Sequence, residues 1–146
     1  MKHVKQKSWF MLMVLAIMTL PNLVWADDAM VVVVNAKNPV TKMSADEVSQ
    51  LFMGQSEFFP GGSPATAIDQ PESTPLRTEF DAKVLGKTPS QLHAYWSKIV
   101  FTGKGKPLKE VPTSKDVVDF LNKNPNAIGY MEKSAVDNNV KVVYAF

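Results

Sequence analysis

Apolar residues fall along this chain in two rhythms. One is the unbroken run. Met30 is followed by four valines, and shorter apolar stretches stand at 65–68 and 127–131. A β-branched run without alternation reads as a strand covered on both faces, as in a parallel or mixed sheet flanked by helices. The stretch 140–144 begins with alternation and reads as an edge strand. Gly129 sits inside one buried run, where something must approach the backbone closely.

The second rhythm has helical spacing. Val48, Leu51 and Phe52 share a face, as do Leu76, Phe80, Val84 and Leu85. A longer stripe is Leu92, Tyr95, Trp96, Ile99 and Val100, and Val117, Val118, Phe120 and Leu121 make the last. Each stripe has a start signal. Ser44 with Glu47 is a capping box. Ser73 or Thr74 can cap ahead of Pro75, Thr88 precedes Pro89, and Thr113-Ser114 opens the last helix. Gly54 and Gly86 are stop signals. Between the elements, Phe58-Phe59-Pro60-Gly61-Gly62 reads as a flap packed on the core. Residues 101–107 read as a mobile basic connection that lacks phosphate-loop spacing, and 133–137 as a helical turn. The predicted order is β-α-β-α-α-α-β-β. That implies an α/β fold: a mixed, mostly parallel sheet with helices on both faces.

The first 26 residues change the picture. Lys2, Lys5 and Lys7 precede an apolar core, Pro21 breaks it, and Val24-Trp25-Ala26 has the form of a cleavage site, so residues 1–26 read as an export signal. Residues 27–146 are then a single periplasmic domain of 146 − 26 = 120 residues. The chain has no cysteine, which excludes a lipoprotein anchor, disulfides and thiolate metal sites. With 16 basic and 14 acidic residues overall, loss of the three signal lysines leaves 13 against 14, a net −1. Nothing in that balance points to nucleic acid.

The chemistry converges on 69–80. A strand leads into a polar turn and then a helix, whose N-terminus carries free N–H groups and the positive dipole end and can hold an anion. Arg77, in the first turn, is the only arginine among fifteen lysines. Its planar fork suits phosphate or carboxylate. The other reading of Arg77 is a surface ion pair with Glu72 or Asp81. No catalytic residues are expected: His93 lies off its helix stripe without partners at ligand spacing, and Asp69 or Glu72 would be an untuned base. The chain is read as no enzyme, with no cofactor and no metal.

Three segments together resemble a known family. They are Leu51-Phe52-Met53-Gly54, then Thr74-Pro75-Leu76-Arg77-Thr78-Glu79-Phe80, and Asn126-Ala127-Ile128-Gly129-Tyr130. In this order and spacing they are similar to the PstS-like phosphate-binding proteins of ABC transporters, within the periplasmic binding protein superfamily. The family has two α/β lobes around a ligand cleft, and this length matches one lobe, as in type II members. The resemblance implies binding of phosphate or a related oxyanion for uptake or sensing. It implies Thr74 as the hydroxyl ligand and Arg77 as the guanidinium. Pro75 and Leu76 stand where the family has glycine and threonine, removing an N–H and a hydroxyl, and Ser73 stands just before to compensate. The implied partners are an ABC permease or a membrane sensor, and a homodimer can rebuild the cleft. The alternative is a protein-interaction module that kept the fold and lost strong anion binding.

Overall fold

The computed structural model describes residues 29–146, and the expected export signal and the Asp27-Asp28 start lie outside the described residues. The valine run forms strand β1 (Met30–Asn35). Its side chains alternate between two cores. Val32 and Val34 face one, and Val31 and Val33 the other. A strand buried on both faces needs apolar residues at every position, which is why its sequence shows no alternation.

Four more strands complete one sheet: β2 (Thr66–Asp69), β3 (Lys109–Glu110), β4 (Ala127–Glu132) and β5 (Val140–Ala145), in the order β3-β2-β4-β1-β5. β2 pairs parallel with β3 and β4, while β1 runs antiparallel to both β4 and β5. Four strands therefore point one way and β1 points against them. β5 lies at an edge, as its alternation suggested. The polar, two-residue β3 has no apolar signature. It is held by backbone pairing, including Val111 N–H to the Asp69 carbonyl at 2.8 Å.

Helices α1 (Ala45–Phe52) and α2 (Pro75–Phe80) cover one face. Phe52, Leu76 and Phe80 pack there with Ile128 and Tyr130, and Phe80 stacks on Tyr130 with ring centroids 4.0 Å apart. Each such large side chain contributes roughly 1.5–3 kcal/mol by leaving water. α2 runs on into a π turn over Asp81–Leu85, closed by Gly86 at φ 62°. Between α2 and β3 comes helix α3 (Pro89–Phe101), and after β3 comes α4 (Ser114–Lys123). α4 covers the opposite face with Val117, Val118 and Leu121. Of the flap, Phe59 is buried and Phe58 is exposed. The expected helical turn is a short 3₁₀ segment, Lys133–Ala135.

α3 departs from expectation. It is built as predicted, with a Thr88–Gln91 capping box and Pro89 at its first position, but of its five-residue stripe only Leu92 is buried. Val100 is 50 % exposed and the adjoining Phe101 is 91 % exposed. The cause is position. α3 belongs to neither helix layer and hangs from the end of α1, where the Tyr95 hydroxyl donates to the Met53 carbonyl at 2.7 Å and the Trp96 ring lies against Gly54. Helical periodicity signals an apolar face; it does not guarantee a surface to cover it.

Gly129 meets its expectation. A Cβ there would lie 3.0 Å from Val117 Cγ1 and 3.1 Å from Ile68 Cγ1, because α4 crosses β4 at this point. Gly129→Ala is expected to lower stability by about 1–3 kcal/mol, read from urea unfolding, through overpacking of this face. An unchanged midpoint would show that α4 has room to shift.

Candidate functional site

β2 carries its last apolar side chain, Ile68, into the core and ends on Asp69, a buried carboxylate. The chain then turns through Gln70 and Pro71 to Thr74, which caps α2. Its hydroxyl accepts from Arg77 N–H at 3.3 Å and donates to the Pro71 carbonyl at 2.8 Å. This cap fixes the first helical turn and aims Arg77 back toward the strand end.

Arg77 is only 6 % exposed. Its Nη1 donates to the Gln70 carbonyl at 2.6 Å and lies 3.1 Å from Asp69 Oδ2, and its Nε lies 3.1 Å from Asp81 Oδ2, one helical turn on. Glu110 at the end of β3 adds a looser contact at 3.7 Å. Asp69 is held in turn. The Tyr130 hydroxyl from β4 donates to its Oδ1 at 2.5 Å, and Gln70 N–H donates to the same oxygen at 2.8 Å. The Gln70 side chain donates to the Tyr130 carbonyl at 3.0 Å. β2, β3, β4 and α2 are thus tied through one polar cluster. Among the described residues no buried side-chain nitrogen or oxygen lacks a partner. The guanidinium makes these contacts through Nε and Nη1.

Burial sets the titration of this cluster. It raises the Asp81 carboxyl to about 6, against the opposing pull of Arg77. It raises Asp69 too, with Arg77 and the Tyr130 hydrogen bond opposing. The Tyr130 hydroxyl is pushed up by burial and by the Asp69 charge beside it. For Arg77, burial works against the charged form, but the Asp69 and Asp81 charges outweigh it and its pKa rises.

A cleft of about 510 Å³ opens beside this cluster. Asp69, Glu72, Arg77 and Glu110 form its polar side, and Leu92, Trp96 and Val100 of α3 are prominent on its apolar side. It lies by the carboxyl ends of β2 and β3, the end of a parallel sheet where α/β proteins place ligands.

The expected trio is only partly assembled. Arg77 lines this cleft. Thr74 borders a second hollow of about 580 Å³, where the starts of α2 (Thr74, Pro75, Leu76) and α4 (Thr113, Ser114, Lys115) meet. Ser73 is exposed and lines neither of these two spaces. Arg77 pairs with Asp81, as one reading had it, but it is buried and its second close partner is Asp69 instead of Glu72. Sequence reasoning missed the Tyr130–Asp69–Arg77 chain. Its available signals were an aspartate closing a strand, another four residues after the sole arginine, and a tyrosine in a buried run. His93 is exposed on the cleft wall. No group of three or more metal-ligating side chains occurs among the described residues.

No known family model matches this sequence, and no curated protein matches it significantly. Solved structures do. A phosphate ABC transporter substrate-binding protein from Clostridium perfringens, with bound phosphate, aligns at TM-score 0.64 and 20 % identity, over 79 % of this chain and 44 % of that one. An ABC-type phosphate transport receptor from Vibrio cholerae aligns at 0.61 and 17 %, over 79 % and 45 %. PstS from Borrelia burgdorferi aligns at 0.59 and 12 %, over 79 % and 46 %. This chain therefore spans less than half the length of the structures it matches. What it shares with them is the fold, a mixed α/β lobe similar to one found in these PstS-like proteins, as the resemblance of the three segments implied.

The cluster makes stability depend on pH. Asp81, and Asp69 with it, hold their protons more tightly folded than the ordinary carboxylate value of 3.8 allows. The folded state thus binds more protons than the unfolded one, and stability falls as pH rises from about 4 through about 6. Asp81→Asn removes part of this loss. Urea midpoints measured across that range should fall less steeply in the variant; parallel curves would remove Asp81 as the source.

Proposed function

We propose that this chain is an exported lobe of the solute-binding fold that acts by docking its open cleft face on a protein. The carrying observation is the free end of α3, where Val100 and Phe101 stand in water beside the cleft. Leaving a phenylalanine exposed forgoes roughly 1.5–3 kcal/mol of burial. The Arg77 cluster supports the same reading. Nε and Nη1 are committed to the protein's own carboxylates and carbonyl, and the cleft sets three carboxylates, Asp69, Glu72 and Glu110, against one guanidinium. Pro75 removes an N–H from the start of α2, and Thr74 already spends its hydroxyl on the cap. The reading as a binding lobe, not an enzyme, follows the solved neighbours. The periplasmic location follows the segment 1–26. No helix among the described residues is long and apolar enough to cross a membrane. The partner class that fits an ABC-type neighbourhood is a permease or a membrane sensor.

A second reading has its own support. Arg77 lines the cleft, its Nη2 makes none of the bonds described above, and Thr74 stands at the start of α2, so an oxyanion held by Ser73, Thr74 and Arg77 is the competing function. An anion at Arg77 would also meet Asp69, 3.1 Å from Nη1, which accepts hydrogen bonds. Phosphate, which still carries a proton, would suit such a seat better than sulfate.

Calorimetry on residues 27–146 separates the two. On the docking reading, neither phosphate nor sulfate gives saturable heat, and neither raises the unfolding midpoint. A ligand at about 100 times its Kd would add ~2.7 kcal/mol, so real binding cannot hide. Saturable phosphate heat, weakened at least about tenfold (~1.4 kcal/mol) by Ser73→Asp at an exposed position, would overturn the docking reading in favour of the oxyanion.

A further inference from the structure

We infer that the occupant of the open cleft is a second copy of this chain, set so that the α3 end of each copy closes the cleft of the other. The inference deepens the docking reading and rests on it. Charge is the first argument. The cleft carries Asp69, Glu72 and Glu110 against Arg77 alone. The loop that follows α3 carries Lys104 and Lys106, both exposed and neither in an ion pair among the described residues. One surface therefore holds an acidic recess and a basic projection side by side. A two-fold pair brings each against its opposite, since in such an interface one patch contacts its own copy.

Shape repeats the argument. Phe101 lies at the rim of its own cleft yet is 91 % exposed, so it does not fill that cleft. A ring entering from a second copy would meet the apolar wall made by Leu92, Trp96 and Leu108. Such a central aromatic anchor within a polar rim is the usual energetic core of an interface. Length agrees as well. This chain aligns with 44–46 % of each solved neighbour, so two copies approach the span of one whole neighbour. The partner's Phe101 and lysines would supply a second wall, and Arg77 would then lie at the floor of an enclosed space.

The test is sedimentation equilibrium of residues 27–146, without added anion, from about 1 to 100 µM, the range that resolves a micromolar Kd. These residues contain every described element. The expected result is a dimer with a Kd of ~10 µM or tighter. Phe101→Glu, at a position 91 % exposed, should give a monomer with an unchanged far-ultraviolet circular dichroism spectrum. Lys104→Glu should weaken the dimer at least tenfold, and adding Glu72→Lys in the same chain should restore it, because the swap reverses both charges. A wild type that stays monomeric throughout, or a Phe101→Glu dimer as tight as wild type, overturns the inference. Neither result bears on the phosphate titration, so the failure of the pairing and the failure of the docking reading remain distinct.

Discussion

A single guanidinium held between two buried carboxylates organises this lobe. Arg77 connects the end of β2, through Asp69 and the Gln70 carbonyl, to the far end of α2, through Asp81. Tyr130 extends the link into β4 and, by stacking on Phe80, into the apolar core. Removing one partner from such a cluster strands the others without water, and breaking a buried ion pair in this way typically costs ~3–5 kcal/mol. The carboxylates also decide what the cleft can attract. They neutralise the arginine that would draw an anion and leave the rim acidic.

Much of the fold was legible because its signals are local. Four valines in a row can only be a strand covered on both faces. Capping residues ahead of Pro75 and Pro89 mark helix starts, and Gly86 marks a stop with its left-handed backbone. What escaped was non-local. β3 is two charged residues held by a neighbour's backbone, so no pattern could announce it. The stripe of α3 is a true helical stripe, yet whether a sheet lies beneath it is a matter of tertiary position. The same holds for the site. Arg77 was visible because it is unique, but that Asp69 and Tyr130, sixty-one residues apart, would meet it depends on β2 lying beside β4. The segment 69–77 looked like one anion seat in sequence. In space its hydroxyl and its guanidinium turn toward different hollows, because the cap holds Thr74 on one side of the helix start while Arg77 folds back to the strand.

In the proposed reading, function and fold are linked through one open face. The carboxyl ends of β2 and β3 open on the cleft, in a chain that aligns with 44–46 % of three solved structures of similar fold. An apolar wall and a polar cluster lie open there together. Val100 and Phe101 stand exposed at the edge of that face.

The central claim is that the Arg77 guanidinium is locked by its own protein and is not waiting for an anion. Because the chain has one arginine, ¹⁵N NMR of the guanidinium needs no assignment. A locked guanidinium gives a resolved Nε–H signal, slow to exchange with water at neutral pH and unmoved by phosphate. A broad, rapidly exchanging signal, or one that sharpens and shifts as phosphate saturates, would contradict that claim and make Arg77 a ligand instead of a brace.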